Sequence, residues 1–94
     1  MKLYGLKMFE DSMRPRVRSG DIVWIDPSNA AAKVGEDVLF LPHNEENNPR
    51  RLVRELIGQT DTDWMVRQYN PVRDTTIAKT LWPKCLRIKY IEYV

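Results

Sequence analysis

Glu10-Asp11-Ser12-Met13-Arg14-Pro15, followed through Arg16-Val17-Arg18-Ser19 by Gly20-Asp21-Ile22-Val23, reads as a turn feeding directly into a strand. Pro15 fixes its own φ and Gly20 tolerates the backbone a tight reversal needs, whereas Ile22-Val23-Trp24-Ile25-Asp26 is rich in the β-branched and aromatic side chains that suit a pleated surface. Pro27-Ser28-Asn29 closes that run with a second turn. From here the same rhythm repeats along the chain, short apolar runs separated by turn chemistry every eight to twelve residues, which is an all-β pattern.

Val38 to Leu41 is a second strand. Pro42-His43-Asn44-Glu45-Glu46-Asn47-Asn48-Pro49 offers little to bury and is expected to be a mobile surface loop. Arg51 to Ile57, with Leu52, Val53, Leu56 and Ile57 apolar, reads as a strand, although so short a run is also compatible with helix. Trp64 to Tyr69 is the next strand and ends at Asn70-Pro71, where proline removes a ladder donor. At the end of the chain Leu86, Ile88 and Tyr90 share one face and Arg87 and Lys89 the other, before Ile91 and Tyr93 make both faces apolar. One short helix is possible over Asn29 to Lys33, where alanines follow a Ser-Asn cap. The expected fold is therefore mostly β, with little or no helix.

Ninety-four residues suit one domain, 1–94, with one modest core. Fifteen Lys+Arg against thirteen Asp+Glu leave a net charge of +2, spread along the chain, so no strong nucleic-acid footprint stands out. Cys85 is the single cysteine and His43 the single histidine, which excludes an internal disulfide and leaves no clustered ligands for zinc; no metal or cofactor is expected. No apolar run reaches the roughly 20 residues of a membrane span and no secretory signal is visible, so a cytoplasmic setting without membrane contact is expected. Met1 stands eleven residues before the serine, consistent with either an excised fragment or a short natural protein.

The Ser-Met-x-Pro turn followed by Gly-Asp and an apolar strand resembles the serine motif of the C-terminal self-cleavage and dimerisation domain of LexA-like and phage repressors. Gly35-Glu36-Asp37-Val38-Leu39-Phe40 is similar to that family's second Gly-Asp and strand. Arg50-Arg51-Leu52-Val53-Arg54 stands where the family has a lysine, and Trp64 to Pro71 resembles the later strand ending in Asn-Pro. The resemblance covers residues about 8 to 71. It implies a compact domain of highly bent strands (a pseudo-barrel), a nucleophile position at Ser12, a motif turn of Asp11, Met13, Pro15, Gly20 and Asp21, and Arg50 at the general-base lysine position.

A serine hydroxyl needs a neighbouring base to take its proton. A buried lysine can serve once its pKa falls, but a guanidinium stays protonated at any physiological pH. Arginine at that position therefore disfavours Ser-Lys catalysis. A register slip finds only Arg51 and Arg54, Lys33, Lys79 and Lys84 lie outside the matching strand, and His43 belongs to the polar loop. The Ala-Gly or Cys-Gly bond that the family cleaves is also missing from these residues. Ser12 is then either a turn serine whose hydroxyl serves the backbone or a residual nucleophile, and Arg50 either a solvated charge or a filler of the lysine site reaching Ser12 or Asp11.

Trp24, Trp64 and Trp82 are expected to pack, and Cys85 to be an inert buried thiol. Tyr90, Ile91 and Tyr93 either complete the core or form the dimer interface that the resemblance implies. The leading functional expectation is the oligomerisation and regulatory domain of a phage or prophage-type transcriptional repressor, degenerate as a self-cleaving peptidase. Its implied partners are a second copy, DNA only through a helix-turn-helix domain absent from these residues, and an inducer or antirepressor protein. The alternatives are an active self-cleaving serine peptidase and a small β-barrel binding nucleic acid through Arg14, Arg16, Arg18, Arg50, Arg51 and Arg54, which steep salt dependence would reveal.

Overall fold

The computed structural model describes residues 3–25, 31–43 and 51–94. Seven strands follow one another in these segments: β1 Tyr4–Lys7, β2 Ile22–Ile25, β3 Asp37–Leu41, β4 Leu52–Gln59, β5 Asp63–Tyr69, β6 Val72–Ala78 and β7 Lys84–Glu92. All neighbours are antiparallel, in the order β1-β2-β7-β3-β4-β5-β6, and no helix occurs among the described residues. The Cα radius of gyration, 12.5 Å, is that of a close-packed chain of this length.

The last strand sits in the middle. The first half of β7 pairs with β3, Leu86 opposite Leu39, and its second half pairs with β2, Ile91 opposite Val23. β7 thereby joins the two halves of one antiparallel seven-stranded sheet. Each face carries its own core. One holds Met8, Met13, Val17, Val23, Ile25, Leu39 and Val53; the other holds Val38, Phe40, Leu56 and Val66. β3 is covered on both faces, which is why three successive residues, Val38, Leu39 and Phe40, are all fully buried.

The alternation expected along β7 breaks at a bulge. Trp24 pairs with Tyr90 but Ile25 pairs with Ile88, leaving Lys89 as the extra residue. Leu86 and Ile88 face the core as expected, yet the bulge shifts the phase, so Ile91 joins them while Tyr90 turns outward. Tyr90 stacks on Trp24 with ring centroids 6.0 Å apart, and the Trp24 indole N–H donates to Glu92 Oε1 at 3.0 Å. The Trp24 ring lies across β1 at Gly5, where a Cβ would meet it at 2.8 Å.

Two strands carry no legible signal. β1 is four residues long and β6, Val72–Ala78, lacks alternation; they are the two edges of the sheet. The short helix expected over Asn29 to Lys33 is not seen at Ala31–Lys33, and its first residues lie outside the described ones, as do residues 44–49 of the expected loop. Trp64 packs beside Phe40, ring centroids 5.8 Å apart, and donates its N–H to the Trp82 carbonyl at 2.8 Å.

Candidate functional site

The chain leaves β1 through Met8, whose side chain is buried, and turns at residues 12–16. Met13 is also buried, and its carbonyl accepts the Arg16 and Val17 amides at 2.8 and 3.1 Å. One core side chain and two short-range bonds thus hold the turn. Asp11 Oδ1 accepts the Ser19 amide at 2.9 Å, closing the loop that follows. Gly20, at φ +97°, supplies the left-handed backbone that lets its amide reach the Met8 carbonyl at 2.8 Å. Arg14 and Pro15 are exposed.

Asp21 is the only buried charged residue among the described ones. Its two carboxylate oxygens accept the Arg18 amide at 2.9 Å and the Val94 amide at 3.1 Å. The Gly-Asp pair is therefore a clamp between the serine loop and the end of β7.

The Ser12 carbonyl accepts the Tyr69 and Asn70 amides at 2.9 and 2.8 Å, and Asn70 Nδ2 donates to the Asp11 carbonyl at 3.1 Å. The two most distinctive segments of the sequence, Ser-Met and Tyr-Asn-Pro, meet here. Half-buried, Ser12 donates its hydroxyl proton to Glu10 Oε1 at 2.7 Å. From the neighbouring strand β4, Arg54 Nη1 lies 3.0 Å from Ser12 Oγ, 2.9 Å from Glu10 Oε1 and 2.7 Å from the Val53 carbonyl. The cation at Ser12 is thus Arg54, one of the two residues that a slipped register offers. Arg50 lies outside the described residues.

Among the described residues, the side chains that meet the Ser12 hydroxyl are the Glu10 carboxylate and the Arg54 guanidinium. Lys79 bonds Gln59 at 2.8 Å and lies over the Trp64 ring, and exposed His43 donates its amide to the Leu81 carbonyl. Chemically, the cluster presents a guanidinium that donates and a carboxylate that accepts. Sequence reasoning missed Glu10, whose adjacency to Ser12 in the chain was the available signal.

A second ionic cluster stands beside the first and had no sequence signal. Arg16 reaches Asp37 Oδ1 at 2.8 Å, off the hydrogen-bonding direction, and Glu55 Oε1 at 3.4 Å, with its guanidinium 4.7 Å above the Tyr69 ring. The Tyr69 hydroxyl donates to Glu55. Burial pushes the Asp37 carboxyl above its ordinary value, and Arg16 only partly offsets that. Nearby, the Lys33 amide and then Arg87 hold Glu36 below its ordinary value. Because Arg16 and Arg54 are both committed to carboxylates, the arginines proposed for nucleic acid do not form one free basic patch.

Tyr90 and Tyr93 are 51% and 67% exposed, whereas Ile91 packs against the core. The two tyrosines border a shallow groove of about 300 Å³ with Glu36 and Asp37. A larger cleft, about 550 Å³, opens between β1, β3 and β7 over Leu39 and Leu86 without Ser12 in its lining. Burial pushes the half-buried Cys85 thiol up to about 12. Among the described residues no three His, Cys, Asp or Glu side chains gather as a metal site, and no helix is long and apolar enough to cross a membrane.

An all-β domain with its Ser-Met turn pinned to an Asn-Pro hairpin and faced by a basic strand residue is the kind of domain that the phage-repressor resemblance describes. Repressor protein C of Rhizobium phage 16-3 is 35% identical to this chain over 74 residues, an alignment covering 74% of this chain and 28% of that protein. The similarity is to one stretch of a phage repressor protein. The chain matches little more than a quarter of the length of that relative. No family model and no solved structure matches it.

Proposed function

We infer that these residues form a single LexA-like domain acting as the oligomerisation and regulatory module of a cytoplasmic phage-type repressor, with its Ser-Lys chemistry lost. The observation that carries this reading is the guanidinium of Arg54 at 3.0 Å from Ser12 Oγ. A group that cannot release a proton at physiological pH cannot accept one from serine. Specific DNA contacts would come from a segment outside these residues, and pairing two copies would raise the local concentration of such segments at paired half-sites. The exposed Tyr90 and Tyr93 supply the aromatic surface for that pairing.

Incubation with a linker peptide containing Ala-Gly tests the chemistry. The parent chain and its Ser12→Ala variant are expected to leave the peptide equally intact; Ser12-dependent cleavage by the parent would defeat the reading. For assembly, sedimentation should show a dimer that Tyr90→Ser with Tyr93→Ser dissociates, and a monomeric parent would refute it.

One observation favours residual peptidase activity: the Glu10 carboxylate already receives the Ser12 proton. The same oxygen, Glu10 Oε1, also accepts from Arg54 Nη1 at 2.9 Å. Loss of any cleavage in Glu10→Gln would identify that route.

A further inference from the structure

We propose that the cleft of about 550 Å³ between β1, β3 and β7 binds a small amphipathic anion, a carboxylate on a single acyl chain, with its head at Arg51 and Lys84 and its tail over Leu41 and Leu86. The site is separate from Ser12 and owes nothing to its chemistry.

Strand register places the two cations at one end of the cleft. Lys84 stands opposite Leu41 in the β3–β7 pair. Leu52 stands opposite Phe40 in the β3–β4 pair, so Arg51, one residue earlier, flanks Leu41 from the other side. Partners across an antiparallel ladder share a face, and this row therefore reads Lys84, Leu41, Arg51. The next row on the same face reads Leu86, Leu39, Val53 and is apolar throughout. Adjacent strands lie about 4.8 Å apart, which sets the two cationic residues roughly 10 Å apart across β3. Side chains as long as those of lysine and arginine close that gap onto one carboxylate above Leu41.

The rest of the cleft suits an acyl chain. Leu41 and Leu86 are half-buried, fully buried Leu39 closes the floor, and half-buried Leu6 lines the cleft from β1. No acidic residue is among the described residues that line it. The volume falls within the roughly 300–1,000 Å³ of small-molecule sites. Inorganic phosphate would leave the apolar row unused, and an alcohol would leave the cations unused. An extended acidic peptide carries carboxylates along its length, whereas the cations here occupy a single row. Arg51 and Lys84 have contacts of their own, so the head of the ligand shares or displaces them, and binding is correspondingly weak and sensitive to salt.

Titration of the whole chain with sodium octanoate, kept below the concentration at which it forms micelles, tests this by methyl NMR. The methyls of Leu6, Leu41 and Leu86 should shift along one saturable curve while those of Val66, in the second core, stay still. Hexanoate should bind more weakly, by about two- to fourfold for each methylene it lacks, according to how much of each the cleft buries. Octanol, with the same tail and no charge, should bind about tenfold more weakly, the factor that a charge-assisted hydrogen bond contributes. Arg51→Gln with Lys84→Gln, both at exposed positions, should weaken octanoate by a similar factor and leave octanol unchanged, with unmoved Val66 methyls reporting that the fold is kept. No saturable shift with octanoate, equal affinity for octanoate and octanol, or unchanged octanoate affinity in the double variant overturns the proposal. So does a peptide rich in Glu and Leu that moves these methyls where octanoate does not, since the cleft would then belong to a protein partner.

Discussion

Replacing Asp21 with alanine removes the one acceptor that holds both the Arg18 and the Val94 amides. The Asp21 side chain is 2% exposed, but Arg18 and Val94, whose amides it accepts, are both at the surface. A buried amide stranded in this way costs about 1–3 kcal/mol; because both residues can rehydrate, the loss falls at about 1–2 kcal/mol. That is still a sizeable share of the roughly 5–15 kcal/mol that holds a small domain folded. At about 4–8 °C per kcal/mol for a chain of this size, thermal denaturation followed by circular dichroism should show a fall of roughly 5–15 °C. Asp21→Asn keeps one carbonyl acceptor and turns its NH2 toward the other amide, so it should lose about half as much. The local effect is equally specific: hydrogen exchange at the Val94 amide should accelerate in Asp21→Ala more than at β4. If Asp21→Ala melts within about 2 °C of the parent, the clamp between serine loop and chain end is not what the Gly-Asp motif provides.

Gly5→Ala should push a methyl group into the Trp24 ring, which a Cβ would meet at 2.8 Å, and lower stability by about 1–3 kcal/mol while shifting tryptophan fluorescence as the Tyr90 stack opens. Asp37 has a folded pKa raised above its ordinary 3.8, so the stability it contributes is full below that value and is lost as pH rises through the folded pKa. Asp37→Asn lacks this loss. Its melting temperature relative to the parent should therefore climb as pH increases from about 3.8 upward, and a difference independent of pH would contradict the buried-carboxylate account. With its thiol pushed up to about 12, Cys85 should react with a disulfide reagent at pH 8 far more slowly in the native chain than in denaturant. Equal rates would mean that the thiol is not shielded.

What the sequence disclosed was what neighbouring residues encode. β2, β3, β4, β5 and β7 are visible because β-branched and aromatic runs between turn residues carry their own preference. β1 and β6 are invisible for the opposite reason: edge strands bury one flank at most, so nothing forces a pattern on them. The outward turn of Tyr90 depends on a bulge opposite Trp24 and Ile25, a feature of pairing between strands sixty residues apart that neither strand announces alone. The same holds for Arg16, Asp37, Glu55 and Tyr69, which come from four separate stretches of chain. Ser12 and its turn were legible as a motif, whereas the identity of the cation above it depended on the register of β4, which short apolar runs specify poorly.

That register also explains why the Ser12 hydroxyl lies between two opposite charges. Arg54 follows buried Val53 in a strand where side chains alternate, so the arginine leaves the face of Val53 and its Nη1 reaches Ser12 Oγ and the Val53 carbonyl. Glu10 then balances it, and the hydroxyl bridges the pair. Each member satisfies the other two, which makes single substitutions unequal in their effects. Ser12→Ala removes only a neutral bridge and leaves the Arg54 to Glu10 ion pair intact. Glu10→Ala leaves a guanidinium that is 12% exposed without its carboxylate, and buried charges that lose a partner are the expensive case. Stability should therefore fall in the order Ser12→Ala least and Glu10→Ala more, with the double change Glu10→Gln, Arg54→Met recovering much of the loss. An enzyme built around the serine would show the reverse emphasis in activity, with Ser12→Ala abolishing turnover. Measuring the three melting temperatures beside peptide cleavage separates a hydroxyl that holds two charges together from one that attacks a carbonyl.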